Sequence, residues 1–223
     1  MSMLNGSGSI TPQWLKRLER LLGWIAIPHL AVILISLQVM GFFSVSTSPA
    51  WIGILALIPE AVLAGEVWRV VTFLALPLTY SPLWLFFTLC FLYFVVNTLE
   101  QEWGAFRTTF YVLVSTVVTV LYSLIFSYSV LDVRHFEASL FLAAAALFPN
   151  YQVTLFFAIP VKLKILAMIT GGFILLELFR GEWSDRLYLL AIYSNFLLFF
   201  GPAAISALLQ AKRRRDYHKR MRE

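Results

Sequence analysis

The sequence predicts an all-α integral membrane protein with six transmembrane helices, and three observations predict it. The chain has 223 residues, of which 60% are hydrophobic and 13% charged, with a mean hydropathy of +0.81. That balance leaves too little polar surface for a water-soluble domain, so the solvent of the fold is a lipid bilayer. The apolar residues gather in long runs without alternation, which excludes a β-barrel and leaves helices that satisfy their own backbone in lipid. Lys and Arg are unevenly shared between the intervening segments, as an even number of crossings requires when both ends lie on one side.

The runs follow in order. Residues 24–43 form the first, after the basic Lys16, Arg17 and Arg20. Residues 83–99 form the second and 108–131 the third. The fourth, 138–148, is short and can cross only if it is buried among its neighbours or extended into the preceding loop. Residues 163–179 and 187–209 make the fifth and sixth. Between the first two lies a long, semi-apolar loop, 44–82, broken at Pro59 and interrupted by Glu60 and Glu66. It reads as an interfacial or half-inserted helical element. The chain therefore divides into a basic N-terminal segment (1–23), a membrane domain (24–209) and a basic tail (210–223).

Placing both termini on one side gathers thirteen of the 17 Lys and Arg residues there, leaving Arg69, Arg134, Arg180 and Arg186 opposite. The positive-inside rule makes that side the cytoplasm; a bacterial-type inner membrane is the expected location. The first run lacks a small-residue exit and reads as a retained anchor. The tail KRRRDYHKRMRE is a topogenic stop whose charge favours anionic headgroups, and nothing about it calls for nucleic acid. Cys90, alone and inside the second run, reads as a small packing residue. His29, His135 and His218 are scattered, so neither a metal site nor a cofactor motif is predicted.

Two segments carry a more specific signal. GEVWRVVTF (65–73) closes the long loop, and LEQEWGAFR (99–107) forms a compact charged turn between the second and third runs. Charges that close to hydrocarbon are costly unless paired, so the turn is structurally specified. Together with six spans, the long first loop and LFPNYQVTLFFAIPVKLKILAMI, these segments resemble the rhomboid superfamily over roughly residues 66–201. The resemblance implies a rhomboid-like six-helix bundle. It also implies structural roles for Trp68, Arg69, Glu100, Gly104 and Arg107.

Active rhomboids cleave transmembrane segments with a serine in G-x-S-G on helix four and a histidine on helix six. Such a nucleophile needs a base within hydrogen-bond reach and donors for the oxyanion. This chain reads FEASLFL there, with Ser139 the candidate nucleophile and Glu137 and Leu140 in place of the glycines. Asn195 aligns with the family histidine and cannot take the serine proton. Trp84 and Thr88 align with the helix-two oxyanion residues. His135, four residues before Ser139, is expected at a loop-to-helix junction without an orienting partner. Glu177 is expected to pair with Arg180 at the i,i+3 spacing, and Gly171 and Gly172 to allow close helix approach.

The resemblance therefore implies a pseudoprotease that binds transmembrane segments of other proteins without cutting them. Trp84, Thr88, Ser139 and Asn195 are its cleft-lining candidates. An atypical serine protease using Ser139 is the alternative, and a lipid- or small-molecule-handling protein on the same scaffold is the third reading.

Overall fold

Helices in this chain end where the backbone cannot continue them. A computed structural model describes residues 13–155 and 159–220. The first helix, α1 (Gln13–Leu22), is amphipathic: Leu15 is buried, while Arg17 and Arg20 are exposed. Pro28 disfavours helix at Ile27, and His29 takes a left-handed φ of 59°. Helix α2 (Leu30–Thr47) consequently begins six residues later than the apolar run suggested.

The long loop holds three short helices, α3 (Ala50–Leu55), α4 (Pro59–Leu63) and α5 (Arg69–Thr72). Pro59 sits in the first turn of α4, where its missing N–H leaves no hydrogen bond unmade. Gly41 of α2 faces the Ala75 carbonyl so closely that a Cβ there would collide with it. That contact seats the end of the loop against α2.

Helix α6 (Pro82–Trp103) runs through the acidic LEQEW segment and stops at Gly104, whose φ of 97° suits glycine. Helix α7 (Ala105–Phe126) follows at once and ends at Ser127, also left-handed. Helix α8 (Arg134–Leu147) starts a turn before the fourth apolar run. His135, expected at a loop-to-helix junction, is the second residue of this helix. The short run is both extended and buried: Phe136, Leu140, Ala143 and Ala144 are all enclosed.

The all-α expectation misses one feature. Residues Gln152–Leu155 (β1) and Ile159–Lys162 (β2) pair antiparallel, with Val153 opposite Val161. Helices α9 (Leu163–Arg180) and α10 (Trp183–Arg220) follow, α10 continuing without a break into the basic tail as far as Arg220.

The protein is mostly helical. Among the described residues three helices are long and apolar enough to cross a membrane: α2, α6 and α7. Helix α6 packs on α2, α7 and α8, and α10 packs on α7, α8 and α9. The core lies where α7, α8 and α10 meet, around Tyr111, Leu140, Ile192 and Phe199.

Candidate functional site

The two motifs that carried the resemblance act as clamps. Arg69 is buried; its guanidinium pairs with Glu66 and donates to the carbonyls of Gly53 and Ala56, the latter at 2.8 Å. Those carbonyls belong to α3 and the residue after it, so one side chain joins two turns of the long loop. Trp68, by contrast, points outward and is half exposed. In the charged turn, the partners lie outside the turn. Glu100 accepts from the His29 backbone N–H at 2.6 Å, and Arg107 forms a two-nitrogen contact with Glu19 of α1 at 2.9 and 3.1 Å. The turn thus fastens the N-terminal helix and the α1–α2 link to the bundle. Gly104 supplies the turn's backbone, and Trp103 packs beside it on Tyr111, Phe199 and Phe200.

Ser139 and Asn195 are both fully buried, in a polar seam between α7, α8 and α10. Ser139 Oγ lies 2.6 Å from the Tyr111 hydroxyl, which also reaches the Ser139 carbonyl at 3.2 Å. Asn195 Nδ2 donates to the Tyr111 carbonyl at 3.1 Å and to Ser115 Oγ at 2.6 Å. Tyr111 therefore stands between the two positions that would form a catalytic pair. Hydrogen bonds across apolar helix interfaces of this kind hold helices together. Named as cleft-lining candidates, both are instead enclosed among the described residues, and Asn195 bonds to the neighbouring helix α7.

His135 does have partners. Its ring nitrogens face Tyr193 Oη at 3.3 Å and Glu177 Oε1 at 3.5 Å, on α10 and α9. Ser139 has Tyr111 as its partner, and no hydrogen bond joins it to His135 among the described residues. Glu177 meets His135 where an Arg180 pair was expected, because the helical start of α8 brings the imidazole within reach. Nearby, Tyr128 in the α7–α8 link donates to Asp185 at 3.0 Å; burial and that carboxylate push its phenol above the ordinary value.

The other two cleft candidates do line a cavity. About 550 Å³ in volume, it is walled by α6 through Trp84, Phe87, Thr88 and Phe91, and by α8 through Glu137 and Phe141. Val153 of β1 and Thr170 of α9 touch its margin. Cys90 is exposed on its wall, not packed in a core. The Thr88 hydroxyl is turned back to the Trp84 carbonyl at 3.0 Å. Sequence reasoning noticed Glu137 only as a lost glycine and missed Gln38, the buried α2 amide that donates to the Glu137 carboxylate. The signal available was an isolated Gln inside an otherwise apolar run.

Gly171 and Gly172 do not mediate close approach: a Cβ at either would meet nothing within 4 Å among the described residues. No three His, Cys, Asp or Glu side chains converge there on a metal position. Compared with protein-family models and with curated proteins, the chain matches none.

Proposed function

We propose that this chain is a six-span, rhomboid-like pseudoprotease of a bacterial-type inner membrane, with both termini cytoplasmic. It binds transmembrane segments of other proteins without cleaving them, in a holding, sorting or adaptor role. The observation that carries the reading is the cavity between α6 and α8, bordered by Thr170 of α9 and lined by aromatic side chains. Concave, mostly apolar sites with a few polar groups are the default binding sites of proteins.

On α6, Trp84 lines the cavity and is exposed, and on α9 Phe173 is exposed one turn from the cavity-lining Thr170. An apolar helix meeting these faces could place side chains in the cavity. Against cleavage stand the burial of Ser139 beside Tyr111 and the orientation of His135 toward α9 and α10. A cavity of about 550 Å³ also fits a small amphiphile, which favours lipid handling as the second reading.

Photo-crosslinking in cells from Phe87 of α6 and Met168 of α9 tests the proposal. Adducts with single-span proteins are the expected result; adducts with lipid alone overturn client binding. A fluorophosphonate probe should leave the protein unlabelled, and labelling abolished by Ser139→Ala would restore the protease reading.

A further inference from the structure

We propose that Glu137 selects the occupant of the cavity, favouring a transmembrane segment that presents a Lys or Arg side chain; this rests on the client-binding reading above. Glu137 stands one turn into α8 and lines the cavity with Trp84, Phe87 and Phe91. Its hydrogen-bond partner is the Gln38 amide, which is neutral and brings the carboxyl no countercharge. Gln38 is itself buried, and its Oε1 has no partner among the described residues.

The remaining ionisable groups on the cavity wall are Arg134 and Cys90. Arg134, one turn before Glu137, engages Asp132 through Nη2 at 3.0 Å and Nε at 3.1 Å. Its charge is matched by Asp132; that of Glu137 is matched by no cation among the described residues. The start of α8 offers the carboxylate a favourable helix dipole, which offsets part of the cost of holding it beside hydrocarbon.

A Lys or Arg within an apolar segment carries the complementary cost, and docking on Glu137 relieves both. The aromatic rings beside Glu137 add cation–π attraction. A plain hydrocarbon chain gains nothing from the carboxylate. A lipid ammonium brings a phosphate that the same carboxylate repels.

Cys90 is the chain's one cysteine and lies on the wall of this cavity, so it reports occupancy directly. The full-length protein in lipid nanodiscs would be mixed with synthetic single-span Leu/Ala peptides. Each peptide carries one cysteine and either Lys or Leu at a position scanned along the helix, and disulfide yield with Cys90 is read. The Lys peptide should give roughly tenfold more crosslink than the Leu peptide at its best position. Glu137→Gln should bring the Lys yield down to the Leu yield, and Glu137→Lys should shift the preference to an Asp-bearing peptide. Equal yields for Lys and Leu with the unaltered protein overturn selection by Glu137 and leave client binding standing. No crosslink with any peptide overturns both. If phosphatidylethanolamine alone shields Cys90 from maleimide as fully as the Lys peptide does, the cavity is a lipid site and the inference falls.

Discussion

Helices α7 and α9 are similarly apolar in sequence, yet the fold treats them in opposite ways. Helix α7 buries ten residues, among them Thr108, Thr109, Ser115, Thr119 and Ser123. Helix α9 buries Leu163 alone among the described residues, and Met168, Phe173 and Phe179 face outward. Three of these polar side chains on α7 bond within the bundle: Thr119 on its own helix, Thr109 on Ile27, Ser115 on Asn195. On α9, Glu177 reaches back to His135, and Thr170 borders the cavity. The difference separates a helix that holds the fold from one placed at its rim.

That contrast can be broken by substitution. Tyr111→Ala on α7 should have the largest effect, because it empties a fully buried ring site and releases both Ser139 and its aromatic neighbours. A loss of roughly 3–5 kcal/mol is expected, read as a fall in the thermal unfolding midpoint of the detergent-solubilised protein. Arg69→Met comes next, at about 2–3 kcal/mol, since the Gly53 and Ala56 carbonyls lose a charged donor. Increased proteolysis within residues 50–72 should accompany it.

Asn195→Ala should cost about 1–2 kcal/mol, as interhelical hydrogen bonds between apolar helices contribute. If it instead left stability intact and altered client crosslinking, the seam would be a site and the contrast with α9 would fail. At the small end, Ile169→Ala on the outer face of α9 should change stability by no more than about 0.5 kcal/mol. Its effect should appear in crosslinking yield from Met168.

Much of this was legible beforehand. The positions of the main helices follow from apolar runs, because burial in lipid or core demands about the same composition. Arg69, Glu100 and Arg107 could be picked out because charged groups near apolar segments need partners. Their partners could not be picked out: Glu19 lies 88 residues from Arg107, and His29 lies 71 from Glu100. Cys90 was misjudged for the same reason. A cysteine in an apolar helix looks alike whether it faces a core or a cavity, and only the placement of α6 against α8 distinguishes them. The β1–β2 pairing was hidden by Pro160, which argues against a strand unless its missing N–H falls where no ladder bond is needed.

By itself, then, the sequence determined the long apolar runs and the helical class, and it holds neither glycines flanking Ser139 nor a histidine in residues 187–209. Those are matters of composition and residue identity. The tertiary structure decided where the polar side chains spend their hydrogen bonds. It enclosed Ser139 and Asn195 around Tyr111, turned His135 to Glu177, and left Glu137 on a cavity wall with the neutral Gln38 amide. Each of these pairings joins residues far apart in the chain, and the energy of such a contact exists only once the helices have packed.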